Sequence, residues 1–104
     1  MKLLTKKIEE QFEKQGDTSM LEAKDIKIIC KLFVASATWY LYERLDEDTF
    51  MCFANLGDPM LAELGTVSLA ELESIKVAGI FPVERDMYYK QQTLQEVIDE
   101  VKTF

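Results

Sequence analysis

Nineteen Asp and Glu residues, two cysteines and no histidine define the side-chain chemistry open to this chain. Without imidazole there is no ordinary general base near neutral pH, and the commonest metal ligand and every Ser-His or Cys-His nucleophile pair are missing. Most hydrolase mechanisms fall on that ground. Carboxylate pairs of the glycosidase kind remain, but with so many acids almost any two can be brought together by folding, so the signal is unspecific. Asp46-Glu47-Asp48 could hold a hard cation, yet it lacks the spaced D-x-D-x-D-G loop of a calcium site and reads better as a solvated turn. The four glycines form no phosphate-cradling loop. No catalytic residue, metal ligand or cofactor is assigned.

What the acids do supply is a field. The formal net charge is −7, which repels phosphate backbones and anionic headgroups, so direct binding to nucleic acid or to a membrane surface is not expected. The charge is uneven: residues 1–42 hold seven Lys against six acids, a net of +1, whereas residues 43–104 hold five basic and thirteen acidic residues, a net of −8. Glu43, Asp46, Glu47, Asp48, Asp58, Glu63 and Glu73 are the candidates for an acidic face. Solvated surface charge that aids solubility is the plainer reading. The sharper one is a binding face. Alternate residues of a strand lie about 6.6 Å apart, so carboxylates along a sheet can imitate a row of phosphates.

A composition of 48% hydrophobic and 30% charged residues in 104 fits one globular α+β domain, residues 1–104. The N-terminus runs directly into charged residues without a signal-type apolar stretch, so a cytoplasmic protein is expected. Cys30 and Cys52 fall inside apolar, β-like runs and are expected as reduced, buried thiols.

Ile8 and Phe12, preceded by Leu4 and followed by Gly16, predict a short amphipathic helix over 5–15. Ile26, Ile28, Cys30, Leu32 and Val34 alternate with Lys27 and Lys31, predicting a half-buried strand over 25–34. "ATWYLYERL" (37–45) and "TFMCFA" (49–54) are aromatic and β-rich, and Asp46-Glu47-Asp48 is the turn between them. These three runs predict an antiparallel meander. "NLGDPM" is loop chemistry, and "ELGTVSLAELESI" (63–75) then reads as a strand turning into a helix. Ser68 with Glu71 makes an S-x-x-E capping box, and Thr93 with Glu96 repeats the device before a C-terminal helix carrying Leu94, Val97, Ile98 and Val101 on one side. Between these helices "GIFPVERDMYY" predicts one short strand or extended segment, with Pro82 placing it at an edge. The predicted fold is thus a small antiparallel sheet, three-stranded meander plus one or two short strands, packed with N-terminal, middle and C-terminal helices.

Two clusters have both structural and functional readings. Glu84-Arg85-Asp86 places one of two arginines between carboxylates, which suggests a fixed ion-pair centre. Trp39, Tyr40, Tyr42, Tyr88 and Tyr89 are core or edge packing in most small domains, but tyrosines alternating outward on a strand are also interface anchors. If Tyr40 and Tyr42 share the face opposite Trp39 and Leu41, they stand beside the acidic turn.

The ordered set "LLTKKIEEQF", "KLFVASATWYLYERLDED", "CFANLGD", "AELGTVSLAELESI", "FPVERDMYY" and "TLQEV" resembles a family of small single-domain bacterial proteins of unknown function, commonly encoded on plasmids, phages and other mobile elements. The resemblance covers nearly the whole chain. Its pattern usually has Gly before Ala-Thr-Trp, where this chain has Ser36, a departure that bears on the geometry of that turn. It brings no catalytic residues. What it implies is context, because small acidic proteins of mobile elements are frequently inhibitors of host defence, including restriction and CRISPR nucleases.

Together these lines give an expectation: an anti-CRISPR-type interaction protein, with Cas9-type effectors as the leading target, acting on a protein partner that has a basic nucleic-acid-binding surface. Such effectors hold nucleic acid in positively charged channels and read the adjacent motif through basic side chains. Glu43, Asp46, Glu47, Asp48 and Asp58 are the expected electrostatic contacts, with Tyr40 and Tyr42 as anchors. The alternative is a non-catalytic accessory module of a mobile element's replication or transfer machinery. A carboxylate enzyme is a third reading, which would require a deep polar pocket with shifted pKa values.

Overall fold

Phe12 of the first helix meets Phe50 of the central sheet edge-to-face, with ring centroids 5.1 Å apart, and this contact seats the helix layer on the strands. The computed structural model describes residues 2–103. Helix α1, Lys6–Gln15, starts at Thr5, whose hydroxyl accepts from the Ile8 N–H, and stops at Gly16, which takes φ 63°. Burying a Phe on such a stripe contributes roughly 1.5–3 kcal/mol. Strands β1 (Cys30–Val34), β2 (Ala37–Arg44) and β3 (Thr49–Asn55) form the expected meander. Strand β4 (Glu63–Ser68) pairs antiparallel with β3 and leads directly into α2 (Leu69–Ser74).

The rest of the chain divides more finely than predicted. Strands β5 (Lys76–Val77) and β6 (Phe81–Pro82) make a separate two-stranded hairpin, and β7 (Glu84–Arg85) pairs with β1. The main sheet therefore runs β4-β3-β2-β1-β7, all antiparallel, and α3 (Leu94–Val101) follows. The protein has an α+β fold. Pro82 lies in the small hairpin, not in the sheet's edge strand.

Both faces of the sheet are covered. One carries Cys30, Leu32, Trp39, Leu41, Phe50 and Cys52, packed with Leu3, Leu4, Phe12 and Leu72. The other carries Tyr40, Tyr42 and Phe53, packed with Ile26, Ile28, Leu94 and Val97. This corrects the expectation of one strand over 25–34. The alternation is present, because Ile26, Ile28, Cys30, Leu32 and Val34 are all buried, but β1 begins only at Cys30. Residues 26–28 pair instead with the segment before α3: Ile28 N–H donates to the Gln92 carbonyl and Leu94 N–H to the Ile26 carbonyl, at 2.9 and 2.8 Å. One run of alternating residues thus serves two opposite layers.

Two turns fix the far end of the sheet. Ala35 and Ser36 join β1 to β2, with Ala35 at φ 51°. Gly57, at φ 118°, comes so close to this turn that a Cβ on it would lie 3.0 Å from Ser36 Oγ.

Candidate functional site

The acidic turn sits at one end of β3, and its shape comes from its own backbone. Asp46 accepts from the N–H groups of Asp48 and Thr49, at 2.9 and 2.8 Å, which closes the β2–β3 hairpin. Arg44 braces the same turn: it donates to the carbonyls of Asp46 (3.2 Å) and Glu47 (2.7 Å) and pairs with Glu9 at 3.0 Å. Glu47 is exposed, and its carboxylate has no hydrogen bond or ion pair among the described residues.

Asp48 reaches into the second half of the chain. Its Oδ1 accepts from the Ala70 N–H at 2.8 Å and its Oδ2 from the Ser68 hydroxyl, while its backbone carbonyl accepts from Leu69 at 2.8 Å. Ser68 Oγ in turn accepts from the Glu71 N–H at 3.2 Å. The S-x-x-E box at Ser68 is therefore half formed: its hydroxyl takes the Glu71 N–H, no Glu71 carboxylate contact to the Ser68 N–H is present among the described residues, and Asp48 takes the Ala70 N–H of the same first turn. The Thr93 and Glu96 box is complete. Glu71 is left exposed on the first turn of α2, above the same anchor. Hydrogen bonds to the ionised form stabilise it. The Ser68 hydroxyl and then the Ala70 N–H hold the Asp48 carboxyl below its usual range, and the Asp48 and Thr49 N–H groups do the same for Asp46. These bonds favour the charged form of both carboxyls on a turn braced by its own backbone and by α2.

The other candidate residues do not join it. Glu43 turns inward and accepts from the Thr18 N–H and hydroxyl at 2.9 and 2.5 Å, tying down the loop after α1. Asp58 accepts from the Met60 N–H at 3.0 Å and caps the short 3-10 turn Pro59–Leu61. It lies beyond the opposite end of β3, seven residues long, or roughly 20 Å away at a rise of about 3.3 Å per residue. The seven acids therefore form no single row. Tyr40 and Tyr42 do share the face opposite Trp39 and Leu41, but α3 and residues 26–28 cover that face, and their exposures are only 8% and 3%. As outward anchors they are ruled out by this packing.

Arg85 also departs from expectation. It donates to the backbone carbonyls of Leu3 and Lys2, at 2.5 and 3.1 Å, and clips the N-terminal segment to the sheet instead of pairing with Glu84 or Asp86. Asp86 pairs with Lys31 at 3.8 Å. The Lys31 ammonium lies 5.7 Å from the Tyr40 ring and 5.8 Å from the Tyr89 ring. Sequence alternation put Lys31 on a solvent face; because both faces are covered, it is half-buried among aromatics. Burial, followed by the neighbouring Tyr40 and acidic groups, pushes the Tyr89 hydroxyl up, so it supplies no base at neutral pH. The adjoining depression, about 530 Å³, is open and includes Phe33, Arg85 and Tyr88.

Cys30 and Cys52 are free and buried. Both stand across from Leu41, on strands separated by β2, a spacing of about 10 Å that exceeds disulfide reach. Burial pushes each thiol up to about 12. Among the described residues no group of three His, Cys, Asp or Glu is placed to hold a metal, and no helix is long and apolar enough to cross a membrane.

A family model described as a protein of unknown function, DUF2958, matches residues 3–101. The chain belongs to the DUF2958 family. No curated protein and no solved structure matches it. In this DUF2958 chain the matched span takes in the acidic hairpin, the Asp48 anchor, the Arg85 clip and all three helices.

Proposed function

We propose that this DUF2958 chain is a non-catalytic interaction protein that inhibits a nucleic-acid-targeting defence nuclease, of which a Cas9-type effector is the first to test. The observation that supports this reading is the fixed hairpin of Asp46, Glu47 and Asp48, joined by Glu71. The Asp46 and Asp48 carboxylates are held by hydrogen bonds before any encounter, with Glu47 and Glu71 exposed beside them, so little ordering of the turn is required when a basic surface arrives. A channel that binds nucleic acid by Lys and Arg offers such a surface. Compared with the expectation from sequence, the contact set contracts to one end of the sheet. Glu43, Asp58, Tyr40 and Tyr42 serve the fold.

The test is target-DNA binding and cleavage by a Cas9–guide complex pre-incubated with the protein at low and high salt. Loss of DNA binding that weakens with salt supports an acidic competitor. Loss of cleavage with DNA still bound supports inhibition without competition. No effect at either salt removes this target. Glu47→Lys with Glu71→Lys leaves the hairpin's internal hydrogen bonds in place, so inhibition that survives the pair rejects the hairpin as the contact.

A second reading, an accessory module of a mobile element's replication or transfer machinery, is favoured by a different feature. Leu56, Met60 and Leu61 are 66%, 72% and 75% exposed beside β4, and an apolar patch of this kind suits a protein contact that does not depend on charge. Retention of a replication or transfer protein, insensitive to salt, is the result that selects it.

A further inference from the structure

We infer that the outer edge of β4 is a docking site for an extended, basic segment of a protein partner, which adds as a further antiparallel or parallel strand. This rests on the reading of the chain as an interaction protein, but not on a nuclease being the partner. Strand β4 is the last strand on its side of the sheet, and all six of its residues, Glu63–Ser68, are in unbroken register with β3. In an antiparallel ladder, residues exchange hydrogen bonds at every second pair. Leu69 N–H donates to the Asp48 carbonyl, so the bonded pairs that follow are Val67 with Phe50, Gly65 with Cys52, and Glu63 with Ala54. The N–H and C=O of Leu64 and Thr66, and the N–H of Ser68, consequently point away from the sheet.

Edges of this length are ordinarily blunted by Lys, Pro, a bulge or a covering element. Strand β4 has none of the first three, and its one charge, Glu63, stands at its start. The opposite edge, β7, is only two residues long. The surroundings select the chemistry of the occupant. Acids flank β4 at both ends, Asp58 and Glu63 at one, Asp48 and Glu71 at the other. Lys102 reaches the first end, where it donates to the Met60 carbonyl at 3.0 Å. Leu64 is half exposed and lines a largely apolar groove of about 320 Å³ with Leu21, Leu45 and Met51. Main-chain hydrogen bonds would supply affinity, and alternate side chains, basic and aliphatic, would supply specificity. A second copy of this chain fits less well, because antiparallel pairing of two β4 edges brings the acidic ends of the two copies together.

The probe is a fluorescein-labelled peptide of about ten residues alternating Lys and Val, with a Glu-Val peptide and a proline-interrupted Lys-Val peptide as controls. Amide hydrogen exchange is followed at Leu64, Thr66 and Ser68, and affinity by anisotropy. The expected result is protection of those three amides by the Lys-Val peptide alone, and at least a tenfold weaker affinity for Thr66→Pro. Its lost N–H faces outward, so the β3–β4 ladder remains. Thr66→Lys is the second variant, should the proline disturb folding, and is expected to reject the basic peptide. Absence of binding, binding indifferent to both variants, or equal binding of the Glu-Val peptide overturns the proposal. Protection without peptide that rises with protein concentration assigns the edge to a second copy and also overturns it. If the peptide binds at β4 while the nuclease is unaffected, the nuclease reading falls and the edge stands. If the nuclease is inhibited while the Lys-Val peptide fails to bind or binds both variants as well as the parent, the edge falls and the reading stands.

Discussion

Asp48 Oδ1 accepts the Ala70 N–H at 2.8 Å, so a residue of the β2–β3 hairpin carries the start of a helix that comes two strands later in the chain. The same carboxylate takes the Ser68 hydroxyl. Charge projected by the turn and order in α2 are thereby one device, and substitutions at Asp48 affect both.

That coupling gives a pH dependence of definite sign. The Asp46 and Asp48 carboxyls titrate below their ordinary value of 3.8 in the folded protein. A lowered folded pKa means that the stabilisation is complete above the unfolded value and is lost as pH falls through the folded one. Urea midpoints should therefore drop more steeply as pH falls below about 4 in the parent than in Asp46→Asn with Asp48→Asn. Parallel acid limbs for the two proteins would contradict the assignment.

Tyrosine substitutions should separate packing from recognition. Tyr42 is 3% exposed and Tyr88 94%. Tyr42→Ala is expected to destabilise by about 3–5 kcal/mol, in line with removal of a buried aromatic. Tyr88→Ala should change stability by less than about 0.5 kcal/mol. Chemical denaturation checks both, and a Tyr42→Ala protein as stable as the parent would contradict the covered face.

Gly57 and Ser36 should be coupled. Gly57→Ala meets a positive φ and a Ser36 Oγ only 3.0 Å from the new Cβ, so a loss of about 1–2 kcal/mol is expected. Adding Ser36→Ala should recover the steric part and leave the backbone part. Strict additivity in the double-mutant cycle would show that the two turns do not touch.

Thiol reactivity offers a direct check on the core. With both thiols pushed up to about 12, native Cys30 and Cys52 should react with an aromatic disulfide reagent far more slowly than in denaturant at pH 8, because the thiolate is the nucleophile. Rapid reaction of either in the native protein would place it near solvent.

The elements with short-range causes were legible in the residues themselves. Gly16 after its helix, and Thr93 with Glu96 before theirs, bound them through hydrogen bonds spanning three or four positions. The meander followed from alternation and from a polar turn between two aromatic runs. Tertiary structure alone decided the rest. Whether Tyr40 and Tyr42 face water depends on α3 lying over them, and period-2 alternation reports only that two faces differ, not that both are covered. Ser68 finds its second partner in Asp48, twenty residues away, and no local spacing encodes that meeting. Arg85 bypasses its neighbouring carboxylates for carbonyls of Lys2 and Leu3 at the other end of the chain. Adjacent residues of a strand point to opposite sides, and the long-range fold chooses what lies on each.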